Sequence, residues 1–482
     1  MPITLKNLVA GEYIESPDGE WIEVTDPATD GRVVGRVPAL KARHVAAVFD
    51  AAANGAAAWR AVGAIERGRV LLRGAALIRE AAAELTSLIV SEMGKTRAEA
   101  AGEVAKSAEF FEFFGALTRL AYGELLPDAR PGTFAQQLRE PLGIVLLVTP
   151  WNDPLLTPAR KLAPALAAGN AVVLKPASEA PLIALRLAEL LDSAGLTAGA
   201  LNTLTGRGSV IGDAAVSDPR VRAVSFTGST PVGLALQKTL AGTGVRVQTE
   251  MGGKNAAVVL DDADLDLAES VIMAGAFAQA GQRCTATSRL IVQRGVADEL
   301  SARLRAAVAA LRVGPGDADG VDVGPVVSTA ARDDIRSRVA DALENGAEVL
   351  ARAELGASAQ VGAFVEPTLL RTPPDNPIWR EEVFGPVLGM LVVDDLEEAI
   401  AEVNASSYGL ASSVFTRDLG SAYRFIDGVE TGQVAVNQPT SGWDVHQPFG
   451  GFKESGSPFK EQGTEAVRFY TRVKTVAIRT QL

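Results

Sequence analysis

The chain has 482 residues, too many for one hydrophobic core, so we expect two or three domains. Its 47% hydrophobic and 22% charged residues are typical of a globular protein, and a single cysteine excludes an internal disulfide. The net charge of −12 at pH 7 disfavours binding to a nucleic-acid backbone. The sequence shows neither a signal peptide nor an apolar run of about 20 residues, so we expect a cytoplasmic protein that binds no membrane.

The first long segment, residues 42 to 122, is alanine-rich and has a helical period. Its apolar residues recur at intervals of three and four positions, which predicts that they share one helix face. These residues are Leu71, Ala75, Ile78, Ala82, Leu85 and Ile89. Gly94-Lys95-Thr96 resembles the end of a phosphate-binding P-loop, but Ile89 stands where that motif requires glycine. We therefore reject a P-loop.

From residue 143 onwards, short apolar strands alternate with helices. The predicted strands are 143–148, 171–175, 201–204, 223–226 and 246–250, and the predicted helices are 156–168, 182–194, 210–216 and 232–240. Strands that are buried on both faces and connected by helices indicate a parallel α/β sheet.

A second alternating series runs from about residue 256 to about 450, with predicted strands at 289–292, 387–393 and 434–437. Two segments lie outside both series: the proline-containing segment 123–142 and a tail whose residues 467–476 alternate like a strand. We expect an α/β fold with two Rossmann-like parallel-sheet domains, formed by 1–122 with 143–252 and by 253–452. We expect 123–142 and 465–482 to form a small β element that mediates oligomerisation.

The only cysteine, Cys284, lies among Gly281, Gln282, Arg283 and Thr285 rather than in an apolar run. Cysteine is the side chain most ready to act as a nucleophile at neutral pH, and nearby positive charge favours its thiolate. A lone thiol is more often a buried bystander. Cys284 is therefore a candidate nucleophile whose role depends on its surroundings.

Two polar residues lie at predicted strand ends. Glu250 ends the strand 246–250, 34 positions before Cys284 (284 minus 250), and Asn152 follows the strand 143–148. Ligands of a parallel sheet bind beyond the carboxyl ends of its strands. An asparagine between prolines is most often part of a turn, but beside a nucleophile its amide can donate to a developing oxyanion.

Small residues follow the third and fourth predicted strands. They are Gly206, Gly208, Gly212, Thr227, Gly228, Ser229 and Gly233. Such turns place backbone N–H groups at the start of a helix, where a pyrophosphate binds well. Two of them on one sheet edge favour a dinucleotide over purely structural turns. Lys175 ends the second strand and lies on the same edge.

Seven ordered motifs, spread over nearly the whole chain, resemble those of the aldehyde dehydrogenase superfamily. They are Thr149-Pro150-Trp151-Asn152, Lys175-Pro176, Phe226-Thr227-Gly228-Ser229, Glu250-Met251-Gly252-Gly253-Lys254, Gly281-Gln282-Arg283-Cys284, Glu382-Val383-Phe384-Gly385-Pro386 and Pro448-Phe449-Gly450-Gly451. The resemblance implies oxidation of an aldehyde to a carboxylic acid with NAD or NADP. The first domain would then bind the cofactor and the second would be the catalytic domain.

The resemblance also implies residue roles. Cys284 would be the nucleophile, Glu250 the base that activates the hydrolytic water, and Asn152 with the Cys284 backbone N–H the oxyanion hole. Lys161 would be a further catalytic residue, and no metal ligand is expected. The residues expected to hold the cofactor are Thr149, Trp151, Lys175, Ser178, Gly208, Thr227, Gly228, Ser229, Gly233, Glu382 and Phe384.

Asp153 departs from the family pattern, because an aromatic residue most often follows the asparagine. A carboxylate there should change the local packing or the mouth of the substrate tunnel. The segments 284–292, 437–442 and 469–475 resemble those of 2-oxoglutarate semialdehyde (2,5-dioxopentanoate) dehydrogenases.

Arg160 and Arg283 are the candidate substrate-binding residues. Arg160 lies eight residues after Asn152 (160 minus 152), about two helical turns. Succinate semialdehyde dehydrogenases, which this stretch resembles, bind the distal carboxylate with an arginine there, and a guanidinium suits a carboxylate bidentately. A solvated helix arginine is the alternative. We expect a short aldehyde with a distal carboxylate, such as 2-oxoglutarate semialdehyde or succinate semialdehyde, or else an aromatic hydroxy- or carboxy-aldehyde.

Cofactor choice and rival functions depend on a few residues. Ser178 stands where relatives strict for NAD often carry glutamate, so we expect NADP to be used alongside NAD.

Two alternative functions remain to be weighed. A CoA-acylating enzyme needs no hydrolytic base, so the presence of Glu250 argues against that function. A non-catalytic structural relative would have no reason to keep Cys284, Glu250 and Asn152. The expected partners are a small aldehyde and further copies of the chain, in a homodimer or homotetramer.

Overall fold

The computed structural model describes residues 2–120 and 123–479. Residues 1, 121–122 and 480–482, which the predicted domains include, lie outside the described residues. The N-terminal strands are β1 (Ile3–Thr4), β2 (Asn7–Val9), β3 (Glu12–Ile14), β4 (Trp21–Thr25) and β5 (Val33–Pro38). They are followed by α1 (Ala42–Ala61), α2 (Ala64–Glu80), α3 (Ala82–Met93) and α4 (Arg97–Leu117).

The single apolar helix face predicted around residues 71–89 was wrong. The residues up to Ile78 lie on α2 and those from Ala82 on α3, because the helix is interrupted at Ala81. Both groups nevertheless contact the same core. Alanine is the best helix former, so the local sequence gives no sign of this break.

The first large sheet is parallel throughout. After β6 (Gly123–Leu126) and β7 (Thr133–Pro141), its strands are β8 (Ile144–Val148), β9 (Ala171–Lys175), β10 (Leu201–Thr203), β11 (Val221–Thr227) and β12 (Arg246–Glu250). Its helices are α5 (Leu156–Ala167), α6 (Leu182–Ser193), α7 (Gly208–Val216) and α8 (Thr230–Leu240). The strand order is β10-β9-β8-β11-β12. Every predicted strand and helix of this series is confirmed to within two residues at each end.

The second large sheet follows in the chain. Its region contains β13 (Asn255–Val259), α9 (Leu265–Phe277), β14 (Thr287–Gln293), α10 (Arg294–Ala309), α11 (Thr329–Glu344), β15 (Glu348–Arg352), β16 (Thr368–Arg371), α12 (Pro377–Arg380), β17 (Val387–Val393), α13 (Leu396–Asn404), β18 (Tyr408–Gly409), β19 (Ala411–Phe415), α14 (Leu419–Gly428), β20 (Gln433–Val436) and β21 (Phe452–Lys453). The strand order is β15-β16-β17-β14-β13-β19-β20, parallel except for β15. The three strands predicted here are also confirmed to within two residues.

Helices cover both faces of each large sheet. On β8, Val145 and Leu147 contact a core shared with α2 to α6, whereas Ile144 and Leu146 contact a core shared with α1 and α7. The second sheet is likewise packed between α9, α10 and α11 on one face and α13 and α14 on the other. This burial explains the continuous apolar strands and confirms the predicted α/β class.

A third, smaller sheet has the order β22-β7-β6, in which β22 (Thr471–Arg479) pairs antiparallel with all nine residues of β7. The prediction that the tail is already a strand at residue 467 was wrong, since Val467 and Phe469 lie in α15 (Gly463–Tyr470) and pack into the first core. Apolar side chains of this sheet remain exposed, among them Leu125, Phe134 and Ile478.

Within the ranges 2–120 and 123–479, no helix combines the length and the apolar character that crossing a membrane requires.

Candidate active site

The carboxyl ends of the first sheet and the segment before β14 meet around one cavity of about 570 Å³. Residues predicted from separate motifs line it together. They are Trp151, Asn152, Arg160, Thr227, Gly228, Ser229, Arg283, Cys284, Glu382 and Phe384. Glu250 and Lys161 lie behind the cavity wall, and Thr149, Lys175, Ser178, Gly208 and Gly233 lie outside its lining.

A left-handed turn precedes Cys284. Gln279, Ala280 and Gly281 all have positive φ values, of 54°, 53° and 68°. This conformation is unfavourable for residues with a side chain, so neighbouring contacts must hold it. The backbone N–H of Gln279 donates to Glu99 Oε1 on α4 at 2.6 Å. The turn therefore depends on a contact with the helical layer of the first domain.

Asn255, at the start of β13, holds the other side of the cysteine loop. Its Nδ2 donates to the carbonyl oxygens of Cys284 at 2.7 Å and Ala286 at 2.9 Å. A Cβ atom on Gly253 would lie 2.5 Å from the Cys284 oxygen, so this close approach requires glycine. The glycines and Asn255 of the glutamate motif thus position the cysteine loop.

Cys284 itself is partly buried. Burial raises the pKa of its thiol to about 12, and the charges of Asp153, Glu382 and Glu250 add to this, while Arg160 opposes it. Nearby positive charge favours the thiolate as expected, since Arg160 lowers the pKa of the thiol, but the effect of burial is larger.

Asn152 is buried beside this loop. Its Nδ2 donates to the carbonyl oxygen of Gln282 at 3.0 Å, two residues before Cys284. This contact fixes the amide plane and leaves the second N–H of the group without a partner among the described residues. An amide N–H held in this way can stabilise an oxyanion without reorganisation.

Glu250 ends β12 and is buried. Neither of its carboxylate oxygens has a hydrogen-bond partner among the described residues. Burial raises its pKa well above the ordinary value, and Glu461 raises it further, against the effect of Lys161. A Cβ atom on Gly450 would lie 2.5 Å from Glu250 Oε1, so a glycine makes room for the carboxylate. A carboxylate with a raised pKa can accept a proton at neutral pH.

Lys161 lies behind Glu250 rather than in the cavity. Its fully buried ammonium group donates to Ser225 Oγ at 2.7 Å and forms an ion pair with Glu461. Burial lowers its pKa, against the effect of Glu461. Glu461 also lies 3.6 Å from Arg160 through its other oxygen. Lys161 and Glu461 therefore form a buried charge pair whose two members both act electrostatically on Glu250.

A second buried charge cluster includes two residues that line the cavity, Glu103 and Asp153. The fully buried Lys95 Nζ donates to Glu103 Oε2 and to Asp153 Oδ1, both at 2.6 Å. Glu103 Oε1 accepts the N–H groups of Leu155 and Leu156 at the start of α5. This cluster links α4 to the segment that carries Asn152.

Sequence reasoning assigned no role to Glu461, Asn255, Lys95 and Glu103. The only signal for Glu461 was Lys161, because a lysine that is buried in a mostly apolar helix needs an acidic partner. That signal does not identify an acid 300 residues away. Lys95 was considered only as part of a rejected P-loop.

The predicted cofactor residues lie beside the cavity and fit a dinucleotide. Thr149 Oγ1 and Thr227 Oγ1 are buried without a hydrogen-bond partner among the described residues. Among the described residues, the ammonium group of Lys175 donates a hydrogen bond only to the Pro176 carbonyl oxygen, at 3.1 Å. Burial lowers its pKa, against the effect of Glu179. Free donors and acceptors on one sheet edge are what pyrophosphate and ribose groups require.

The other cofactor candidates are placed around the same edge. Ser178 Oγ donates to the Gly206 carbonyl oxygen at 3.2 Å, and Gly208, at the start of α7, faces open space. Glu382 Oε1 accepts the Gly253 N–H at 3.0 Å, and burial raises the pKa of Glu382 to about 7.

Two further cofactor candidates are explained by packing. Phe384 contacts Trp151 edge to face, with ring centroids 5.4 Å apart. Gly233 lets α8 approach Met251, because a Cβ atom there would collide with the methionine side chain. Among the residues at 2–120 and 123–479, no cluster of histidine, cysteine and acidic side chains is placed to hold a metal ion.

Comparisons with known proteins identify the family of this chain. The model of the aldehyde dehydrogenase family matches residues 13–476. The chain is 42% identical to the alpha-ketoglutarate semialdehyde dehydrogenase of Haloferax volcanii, over 98% of both chains. It is 40% identical to the 2,5-dioxopentanoate dehydrogenase of Saccharolobus solfataricus, over 97% of this chain and 98% of the relative. It is 38% identical to the NADP(+) succinate-semialdehyde dehydrogenase of Escherichia coli, over 98% and 97%.

Solved structures are equally similar. An NADP-dependent enzyme of Escherichia coli superposes with a TM-score of 0.95 at 36% identity, over 99% of this chain and 98% of that one. The betaine aldehyde dehydrogenase of Staphylococcus aureus, in complex with NAD+, gives 0.96 at 31% identity, over 100% and 96%. The chain therefore belongs to the aldehyde dehydrogenase family, whose members oxidise aldehydes with NAD or NADP.

Proposed function

We propose that this enzyme oxidises a short aldehyde with a distal carboxylate to the dicarboxylic acid, through a thioester on Cys284. The observation that carries the proposal is that Arg160 and Arg283 line the same cavity as Cys284. Arg283 forms no hydrogen bond or ion pair with any residue that the structure describes. An unpaired guanidinium in a cavity is a suitable partner for a carboxylate.

Arg160 is held more firmly than Arg283. Its guanidinium lies 4.7 Å from the ring centre of Phe449 and 3.6 Å from Glu461, and its Nε is buried without a partner in the described part of the chain. This geometry leaves one edge of the fork for substrate. The relatives named above act on semialdehydes that carry a carboxylate, which also supports the proposal.

The site residues suggest a mechanism. Cys284 gives its proton to the Glu250 carboxylate, directly or through a water molecule, and its Sγ adds to the aldehyde carbon. Asn152 and the Cys284 backbone N–H hold the resulting oxyanion; one such donor typically lowers the barrier by roughly 3 kcal/mol. NAD(P)⁺, when bound, would supply the acceptor for the hydride that the carbon loses, and this loss would leave a thioester on Cys284.

Hydrolysis of this thioester is assigned to Glu250. Its carboxylate takes a proton from a water molecule, and the resulting hydroxide attacks the thioester carbon and releases Cys284. A general base of this kind contributes roughly 10²–10⁴-fold. Lys161 and Glu461 hold charge beside Glu250 and can pass its proton onwards. The presence of Glu250 argues against the CoA-acylating alternative.

An aromatic hydroxy- or carboxy-aldehyde is the second candidate substrate, because Trp443 and Phe449 line the cavity. For the cofactor, we propose NADP alongside NAD. Ser178 is neutral and already donates to Gly206, so no negative charge of its own opposes a 2′-phosphate near Lys175. We assign cofactor binding to the domain formed by 1–122 and 143–252, and catalysis to 253–452.

We also propose that the chain forms a homodimer or homotetramer through the sheet of β6, β7 and β22. Its exposed apolar side chains support this, since such residues are usually covered in a partner interface. The single cysteine supports a reducing, cytoplasmic location.

The central experiment compares aldehydes. Initial rates of cofactor reduction are measured for succinate semialdehyde, 2-oxoglutarate semialdehyde, an aromatic hydroxy-aldehyde and butanal, with NAD⁺ or NADP⁺ and with or without CoA. We expect kcat/KM for the acid semialdehydes to exceed that for butanal at least tenfold, without any effect of CoA. Cys284→Ala should abolish all activity, because no other thiol exists. Equal rates for butanal, or a requirement for CoA, would contradict the proposal.

A further inference from the structure

Asp153 is the residue at which this chain departs from its family, and it lies directly after Asn152 in the wall of the cavity. One of its oxygens is fixed by the protein. Oδ1 accepts from Lys95 Nζ at 2.6 Å and from Gln279 Nε2 at 3.3 Å. Because Lys95 is fully buried and also paired with Glu103, the carboxylate cannot turn away from the cavity.

The other oxygen of Asp153 is free. No residue in the described ranges donates a hydrogen bond to Oδ2. This oxygen is also accessible to solvent. The side chain remains 16% exposed. Since Asp153 lines the cavity, Oδ2 is an acceptor open to whatever binds there.

This acceptor is charged at neutral pH. Burial alone would raise the pKa of Asp153, but Lys95 and Arg283 outweigh it and lower the pKa to about 2. Asp153 is also, after burial, the strongest of the groups that raise the pKa of the Cys284 thiol. The carboxylate therefore lies near the reacting sulfur and opposes its ionisation, which is a cost for the first step of the reaction.

An ionised oxygen beside an anionic substrate is unfavourable unless a donor satisfies it. We propose that the substrate carries a hydrogen-bond donor, a hydroxyl or an ammonium group, on the carbon next to the aldehyde, and that Asp153 Oδ2 accepts from it. The position follows from the adjacent Asn152, whose amide would hold the aldehyde oxygen. This inference rests on the proposed function and narrows its substrate class to hydroxylated or aminated acid semialdehydes.

The test compares three acids that differ only at this carbon: 4-oxobutanoate, 3-hydroxy-4-oxobutanoate and 3-amino-4-oxobutanoate. For each protein, kcat/KM of a substituted acid is divided by that of 4-oxobutanoate. In the wild type we expect one of the two ratios to exceed ten. A high ratio for the 3-hydroxy acid identifies a hydroxyl as the donor, and a high ratio for the 3-amino acid identifies an ammonium group. Asp153→Phe, which restores the aromatic side chain of the family pattern, should bring both ratios to about one.

Asp153→Asn separates the two donors. It keeps an oxygen for Lys95 and Gln279 but turns an N–H₂ group towards the cavity. An ammonium group can only donate, so its ratio should fall below one, whereas a hydroxyl can accept from the new amide and should keep part of its preference. Asp444→Asn removes an exposed carboxylate next to Trp443 of the cavity wall and should leave the ratios unchanged.

Wild-type ratios near one, or ratios that Asp153→Phe leaves unchanged, would overturn the inference. If Asp153 served only to position Asn152, its replacement would lower the rates for all three acids and leave the ratios unchanged. The pair butanal and 2-hydroxybutanal repeats the comparison without a distal carboxylate. If all the acids are poor substrates but 2-hydroxybutanal exceeds butanal tenfold, the proposed function fails while the role of Asp153 stands.

Discussion

Glu250 is buried with both oxygens unpaired among the described residues, and its pKa is raised well above the ordinary value. A base works only when it is ionised, so kcat should rise as the pH rises through this pKa and then level off. Glu250→Gln should remove the rise. It should give a burst of reduced cofactor equal to the enzyme concentration and then stall, with an acyl adduct on Cys284 detectable by mass spectrometry. Unchanged steady-state turnover would make Glu250 structural.

The two cavity arginines should differ in their effects. Arg283→Leu removes a cation that has no ion-pair partner in the described residues, so KM for succinate semialdehyde should rise at least tenfold, about 1.4 kcal/mol. The change for butanal should be much smaller. Arg160→Leu should raise the same KM at least tenfold and also lower kcat, because Glu461 loses its guanidinium neighbour. Equal losses on both aldehydes in Arg283→Leu would show that recognition lies elsewhere.

Ser178 is the residue on which the cofactor prediction depends. Ser178→Glu introduces a carboxylate near Lys175, which should repel the 2′-phosphate of NADP⁺ and raise its KM at least tenfold. KM for NAD⁺ should change far less, and Ser178→Ala is the matched neutral control. A wild-type KM for NADP⁺ more than a hundredfold above that for NAD⁺ would contradict the prediction.

The sequence predicted single residues with local motifs better than it predicted their partners. Asn152 follows the carboxyl end of β8, Arg160 lies in the next helix, α5, and Arg283 and Cys284 come just before β14, and the fold brings these segments to one cavity. Glu461 was not predicted, since it contacts Lys161 across 300 positions of chain. Asp153 was noticed as a departure, but its contact with Lys95 joins two segments that share no pattern.

Among the structural elements, all five strands of the first large sheet and three of the seven strands of the second were predicted to within two residues. Parallel strands are buried on both faces, so they form continuous apolar runs that stand out from the helices between them. The two wrong predictions concern weaker signals. The break between α2 and α3 has no proline or glycine, and α15 is a helix of eight residues whose side chains also alternate. Its helical form follows from packing against α5 and the first core.

The start of β13 carries Asn255, which leads to a prediction about how this strand positions the cysteine loop. Asn255→Ala removes both hydrogen bonds that hold the cysteine loop, so kcat should fall at least tenfold while the circular dichroism spectrum is kept. Asn202→Ala is the matched control, because Asn202 is equally buried and donates to the Gly199 carbonyl oxygen in the first sheet. Both variants should lower Tm by a few degrees. A loss of kcat no larger than that of the control would mean that Asn255 does not position Cys284.

For the whole molecule, the third sheet is the proposed contact between subunits. Leu125 on β6 is 71% exposed, and Ile478 on β22 lies on the same small sheet. The double variant Leu125→Asp, Ile478→Asp should shift the mass measured by light scattering to that of a monomer, because two buried charges oppose association. Leu419→Asp, on α14, is equally exposed and should leave the mass unchanged. Dissociation by Leu419→Asp alone would place the interface elsewhere.

The pairing of β7 with β22 has a consequence for how the protein is made. β7 is complete at residue 141, but β22, which pairs with it, begins only at residue 471. In the same way, Lys161 is synthesised 300 residues before its ion-pair partner Glu461. At a synthesis rate of about 5–20 residues per second, one edge of β7 and the Lys161 ammonium group remain without partners for roughly 15–60 s. During that time β7 presents an open strand edge, which invites pairing with other nascent chains. The proposed assembly surface and the charge network beside Glu250 are therefore completed almost together, late in translation, and a ribosome that stalls before residue 461 releases a chain with neither.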